Sequence, residues 1–214
     1  MDINSDVLAL SDDTLVARIV AGEKQLFEVF MKKYNTRLYR VSMSIIHDDD
    51  EAEDIMQAAY IKAYENLNRF EGRSNFLTWL TRIAINEGLM RLKKRKRHTT
   101  IDTETLELPA DQAHPMGSMI NEELKQILEK AIAQLPSKYR MVFMMREIEG
   151  MSTAETTQCL ALTETNVKVR LNRAKEMLRE SLSHYAQSEN LYSFHLIRCG
   201  RIRDNVMRVI MEMK

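Results

Sequence analysis

Apolar residues recur in steps of three and four along most of this chain, in separate runs divided by short polar breaks. Such a period marks one buried face of a helix, and strict alternation of the β-strand kind is missing. The first run is short: Ser11-Asp12-Asp13 precedes Leu15 and Ile19, and Gly22 closes it. The next passes through Phe27, Phe30, Tyr34, Leu38, Val41 and Ile45 and predicts a long amphipathic helix ending before His47. Acidic residues from Asp48 to Asp54 then load the start of another helix, where they suit its dipole. Its expected buried stripe is Ala52, Ile55, Met56, Ala59, Ala63 and Leu67. After the break Phe70-Glu71-Gly72-Arg73-Ser74-Asn75, either Ser74 or Asn75 can cap a third long helix, with Phe76, Leu77, Leu80, Ile83 and Ala84 facing inward. Gly88 lies within that helix, where it costs about 1 kcal/mol relative to Ala, and a bend is expected there.

The pattern stops at residues 98–120, a stretch of Thr, Asp, Glu, Pro and Gly that predicts an acidic, flexible linker. It resumes with Leu124, Ile127, Leu128, Ala131 and Leu135, stopped by Pro136, and with Tyr139, Val142, Phe143 and Ile148, stopped by Gly150. Ser152-Thr153-Ala154-Glu155 has the form of a capping box and opens a short helix to Leu160. Thr163 can cap a last long helix with Val167, Leu171, Ala174, Leu178 and Leu182 inward. The expected fold is therefore all-α. Two small helical domains, 10–97 and 121–184, are joined by the linker and followed by a C-terminal helical extension over 185–214.

Composition narrows this picture. With 6 Gly and 3 Pro, the chain carries few of the breakers that β-rich folds need. The net charge is zero, from 31 basic and 31 acidic residues, which argues against a nonspecific nucleic-acid coat. The charges are segregated, however: basic residues crowd Arg91–Arg97, and acidic ones crowd 48–54 and 102–111. One face can thus meet phosphate while another meets protein. Two cysteines are too few for a disulfide framework. The acidic N-terminus MDINSDVLAL does not read as a signal peptide, and no run approaches the roughly 18 apolar residues of a membrane span. A cytoplasmic protein is expected.

A short capped helix, a three-residue connection and a longer helix form a helix-turn-helix. The second helix of such a pair enters the major groove. Its expected outward residues are Thr165, Asn166, Lys168, Val169, Asn172 and Arg173. Lys and Arg can donate to guanine, Asn can pair with adenine, and Val can touch a thymine methyl. In the first domain, Phe70, Phe76 and the single tryptophan, Trp79, lie near Arg73, Asn75, Thr78, Arg82 and Asn86. Rings beside cations and amides suit unpaired bases, which stack and hydrogen-bond at their edges. Arg91–Arg97 places six positive charges at the end of the same helix, enough for a strongly salt-dependent phosphate contact. One domain suits duplex DNA and the other suits opened strands, a combination that promoter opening requires.

These residues resemble the extracytoplasmic-function sigma factors of the sigma-70 family. In the first domain the resemblance lies in Asp50–Tyr60, Phe70-Glu71-Gly72 and Phe76–Asn86. In the second it lies in Leu135-Pro136, Phe143, Glu149–Ser152 and Asn166–Lys175. It implies a function: binding core RNA polymerase and directing promoter-specific initiation. It also implies roles. Asp50, Glu53, Asp54 and Gln57 would dock on the polymerase β′ clamp helices. Phe70, Arg73, Asn75, Trp79, Arg82 and Asn86 would capture the opened −10 strand. Thr165, Asn166, Lys168, Val169, Asn172 and Arg173 would read the −35 duplex. The β flap of the polymerase and an anti-sigma factor are further implied partners.

Other classes fit less of the chain. A helix-turn-helix regulator that does not replace sigma would leave the acidic docking helix and the aromatic loop without a task. An adaptor of helical hairpins would leave the recognition-helix chemistry without one. No glycine-rich phosphate loop, nucleophile elbow or zinc spacing suggests an enzyme, so no catalytic residue, cofactor or metal is expected. Cys159 is expected to be a buried structural thiol. His195 and Cys199 fall four apart in the extension, and two ligands do not make a metal site.

Overall fold

The computed structural model of the 214-residue chain describes residues 5–98 and 119–186. The linker expected at 98–120 and the extension from 187 onward, including His195 and Cys199, lie outside the described residues apart from the ends of the flanking helices. Every regular element described is helical: α1 (Ser5–Leu8), α2 (Asp12–Val20), α3 (Phe27–Ile46), α4 (Asp49–Glu65), α5 (Phe76–His98), α6 (Met119–Ala133), α7 (Ser137–Phe143), α8 (Thr153–Leu160) and α9 (Glu164–Ala186).

The polar breaks act as caps. Ser11 accepts from the Thr14 amide at 3.2 Å, and Asp48 accepts from the Glu51 amide at 3.0 Å. Asp49, Asp50 and Glu51 fill the first turn of α4 and complement its dipole. His47 ends α3 in a left-handed conformation, with its amide returned to the Met43 carbonyl. Asn75, rather than Ser74, caps α5: its Oδ1 accepts from the Thr78 amide at 2.7 Å.

Helices α3, α4 and α5 pack around one core. Leu15, Val29, Phe30, Leu38, Ile55, Ala59 and Leu80 are fully enclosed there. Phe30 and Phe76 stack at its centre with ring centroids 3.8 Å apart. Helix α5 runs unbroken through Gly88. A Cβ at Gly88 would stand 2.9 Å from Ile45 Cδ1 and 3.3 Å from Ile55 Cδ1. The glycine is there so that three helices can approach closely.

Several inward stripes differ from the sequence pattern. Tyr60 is buried on α4, while Met56 is only half-buried. In the second half, Leu128 and Ile148 are about 40 % exposed, and Ile132, Met141 and Met145 are buried instead. A π turn over Met144–Ile148 causes the second shift. Its wider turn rotates the face by about one residue, turning Met145 inward and Ile148 outward.

The described residues up to Leu178 form one compact unit. Within it the two helical groups expected from the sequence pack on each other, α5 against α8 and α3 against α7. Val41, Ile45 and Ile85 from the first share a buried cluster with Met141, Met145, Met151 and Cys159 from the second.

Candidate nucleic-acid interface

The helix-turn-helix is built as its residues suggest. Ser152 and Glu155 complete a reciprocal capping box on α8. Ala161 makes the turn at φ 50°, and its amide returns to the Thr157 carbonyl. Thr163 Oγ1 then accepts from the Asn166 amide at 3.2 Å and starts α9. Val167, Ala174 and Leu178 are buried. Burying that stripe turns the other side of the helix outward, so Thr165, Asn166, Lys168, Val169, Asn172 and Arg173 are all exposed on the first turns of α9. Val169 is 59 % exposed, an apolar group with no role in the core. Lys168 and Arg173 are held by short-range pairs along the helix, to Glu164 at 3.7 Å and Glu176 at 3.0 Å. Exposed pairs of this kind are worth at most about 1 kcal/mol, so both cations can turn to DNA at little cost.

The aromatic surface lies along α5. Trp79 is half-buried, with its ring 5.2 Å from Phe70 and 5.6 Å from Phe76. Its tilted contact with Phe76 ties one side of the ring to the core. Its free side borders a hollow of about 360 Å³ lined also by Lys62, Asn66, Arg69, Asn86 and Glu87. Ring, amides and cations there match what an unstacked base requires. Asn86 is exposed on the wall of the hollow, Arg82 is exposed on α5 within electrostatic reach of Cys159, and Arg73 is exposed in the loop, paired with Glu71.

Two expected members of this surface sit elsewhere. Phe76 is core, and Thr78 is 3 % exposed because it faces α8. The amide of Asn75 donates to Glu155 across that interface at 2.7 Å. Conversely, the pattern missed Lys62, Asn66 and Arg69. They fall at i, i+4 and i+7 from the last turn of α4 into the turn after it, a spacing that places them on one side.

The basic run is only partly available to phosphate. Arg91 bridges Glu51 at 3.1 Å and Asp54 at 2.9 Å, so it serves the fold and removes Asp54 from a wholly free acidic surface. Lys93 and Lys94 are exposed; the side chains of Lys96 and Arg97 lie outside those described.

Asp50, Glu53, Asp54 and Gln57 are exposed on α4. Beside them a groove of about 1040 Å³ separates α3 from α4, with Met31, Tyr39, Met56, Tyr60 and Ile61 on its walls and Glu53 and Glu65 on its rim. Ile61 is 59 % exposed. The Tyr60 hydroxyl is buried with no hydrogen-bond partner among the described residues. An apolar floor with an acidic edge fits a helix carrying apolar and basic residues. The apolar members were missed because the acidic charges, rather than Met31 and Ile61, stand out in the sequence.

Cys159 is buried, and burial pushes its thiol up to about 12. No group of three metal-ligating side chains occurs among the described residues.

The fold and its surfaces define a class: an all-helical protein that carries a helix-turn-helix with an exposed second helix and, on its other helical group, a ring-and-amide surface. Family comparison is in accord. Residues 30–98 match the family model of sigma-70 region 2, and residues 125–178 match that of sigma-70 region 4. The RNA polymerase sigma-H factor of Pseudomonas aeruginosa is 33% identical over 180 residues, spanning 80% of this chain and 93% of its own. The ECF RNA polymerase sigma factor SigW of Bacillus subtilis is 30% identical, with 78% and 94% covered. Among solved structures, RpoE in complex with the anti-sigma factor NepR from Bartonella quintana has a TM-score of 0.61 at 26% identity, covering 72% of this chain and 96% of that one. CnrH in complex with the cytosolic domain of CnrY has the same fold, with a TM-score of 0.58 at 21% identity over 81% of this chain and 97% of that one. The chain belongs to the sigma-70 family, as an RNA polymerase sigma factor of the extracytoplasmic-function type.

Proposed function

We propose that this sigma factor divides promoter initiation among three surfaces. The exposed face of α9, with Thr165, Asn166, Lys168, Val169, Asn172 and Arg173, reads the −35 duplex. The Trp79 hollow, lined by Lys62, Asn66 and Asn86, with Phe70, Arg73 and Arg82 on the same half of the protein, holds an unstacked base of the opened −10 strand, while the amide of Asn75 is taken up by the α5 cap and Glu155. Asp50, Glu53, Asp54 and Gln57, with the apolar groove beside them, take the polymerase clamp. The observation that carries this reading is the Trp79 ring, anchored on one side by Phe76, at the edge of a hollow that also presents Lys62, Asn66, Arg69 and Asn86, on the same chain as an exposed α9 face. A regulator that only binds duplex DNA has no use for that hollow.

The protein then works where the polymerase is, in the cytoplasm. No helix among the described residues is long and apolar enough to cross a membrane. An anti-sigma factor is a further proposed partner, supported by the RpoE–NepR likeness.

The test mixes sigma-free core polymerase, this protein and a promoter library. Specific initiation is the expected result; DNA binding without initiation would instead favour the regulator. In the same assay Trp79→Ala should reduce permanganate-reactive opening while leaving closed-complex binding in place.

A further inference from the structure

Leu89 and Met90 are large apolar side chains left in water on α5, 41 % and 57 % exposed. Their neighbours on the helix make the contrast plain. Ile85 is buried in the cluster with Met141 and Met145, and Leu92 packs against it. Leu89 and Met90 belong to neither buried cluster among the described residues. A single exposed apolar residue needs no explanation. Here two adjoin, and the stripe in which they lie gives them meaning. Trp79, Asn86 and Lys93 recur every second helical turn and so share one face of α5. Leu89 and Met90 follow Asn86 at i+3 and i+4, one on each side of that line. The apolar pair thus stands between the Trp79 hollow and the exposed Lys93 and Lys94.

Distance along the helix says what the pair meets. At about 1.5 Å per residue, Met90 stands about 6 Å beyond Asn86. Stacked bases rise about 3.4 Å per step, so the pair sits roughly two steps from a base held in the hollow. The C-terminal end of α5 leads, through residues 99–118, to the helix-turn-helix half. That end therefore faces the −35 side, where the promoter is still paired. Lys93 and Lys94 suit the phosphates there, but an apolar surface does not. What it suits is the flat face of a base pair. Leu and Met are among the side chains that DNA-binding proteins insert between base steps. Methionine, unbranched and polarizable, adapts readily to an aromatic face.

We propose that Leu89 and Met90 form an apolar wedge at the upstream fork, where the opened strand rejoins its duplex. The pair covers the face of the last base pair and takes the stacking place that the unpaired bases have left, while Lys93 and Lys94 hold the phosphates behind it. The task differs from that of the hollow. The hollow keeps a base once it is out; the wedge keeps the duplex from closing behind it. With polar side chains in the same place, the last base pair would face water and re-pairing would be favoured. The proposal rests on the reading of the α5 surface as the −10 strand site.

The test uses holoenzyme reconstituted from core polymerase and the full chain. Its templates are a promoter recovered from the library and the same promoter with a mismatched, already open −10 segment. Both side chains are exposed, so Leu89→Ser with Met90→Ser should keep the native unfolding midpoint. On the paired promoter its open complexes, followed by permanganate after a heparin challenge, should collapse about tenfold faster, and on the open template its affinity should change by less than about twofold, because no base step is left to hold apart. Met90→Leu, which keeps the apolar surface, should collapse at the native rate. The proposal is overturned if the serine variant collapses no faster than the native protein. It is equally overturned if affinity for the open template falls as much as open-complex lifetime, which would make the pair an ordinary contact. Weaker binding of the serine variant to core polymerase alone would also overturn it, by giving the patch to the polymerase. Normal opening by Trp79→Ala would instead count against the α5 assignment, whatever the serine variant does.

Discussion

Arg140 Nε donates to the main-chain carbonyl of Ser44, 2.8 Å away and 96 residues earlier in the chain. The same guanidinium donates from Nη1 to Ala133 O at 2.6 Å and reaches Leu135 O at 3.5 Å. It therefore satisfies carbonyls at the end of α6 and holds α3 at the same time. Burial lowers its affinity for a proton relative to a free arginine, but it stays charged across any working pH. Each hydrogen bond to a charged donor is worth about 1.5–3 kcal/mol. Arg140→Met should cost about 3 kcal/mol in urea unfolding. Arg140→Lys should recover little, because one ammonium cannot reproduce the planar fork. Full recovery by lysine would show that charge alone matters.

Gly88 tests close packing rather than flexibility. Ala is the better helix former by about 1 kcal/mol, yet its Cβ would stand 2.9 Å from Ile45 Cδ1 and 3.0 Å from Ile45 Cγ2. Overpacking of this kind costs about 1–3 kcal/mol. Gly88→Ala should therefore destabilise by about 1 kcal/mol. Adding Ile45→Val, which removes Cδ1, should cost less than the sum of the two single changes. Strict additivity in thermal unfolding would contradict this close approach.

These cases show what the sequence could and could not display. Helix positions, caps and the recognition face were legible because they depend on neighbours three or four residues away. Ser152 with Glu155, Thr163 and the outward residues of α9 lie where local spacing put them. Gly88 read as a helix weakness because the sequence does not show Ile45 lying opposite it. Thr78 read as surface because nothing local reveals α8 packing on it. Arg91 read as a phosphate ligand because its partners, Glu51 and Asp54, are 40 and 37 residues away. The π turn displaced the Met145 stripe for a different reason: it breaks the period on which the reading depends.

The recognition face predicts a specific loss. Lys168→Ala with Arg173→Ala should weaken binding to a −35 duplex by about 1–3 kcal/mol for each base left without its side-chain partner. If one of the two instead meets phosphate, the slope of log K against log salt should fall by about 0.9. Affinity for core polymerase should not change, since neither residue lines the α4 groove. Titrations over several salt concentrations, with labelled duplex and with core, check both halves. Equal loss in the two titrations would refute the division of labour.

His47 gives the fold a pH dependence of known sign. It sits half-buried at the end of α3, and burial holds its pKa below the ordinary histidine value, with the nearby Arg140 charge acting in the same direction and Asp49 opposing. The unfolded chain takes up this proton near pH 6.5, whereas the folded protein resists it to lower pH. The unfolded state then binds more protons, and stability falls as the pH drops from about 6.5 through the folded value. Above that window the residue contributes no pH dependence. His47→Asn keeps a side chain that tolerates the left-handed conformation at φ 52° and removes the titration. Thermal unfolding at pH 7.5 and 5.5 should show a larger loss for the native protein than for His47→Asn. All other titrating groups are common to the two, so the difference isolates His47, and parallel losses would refute the assignment.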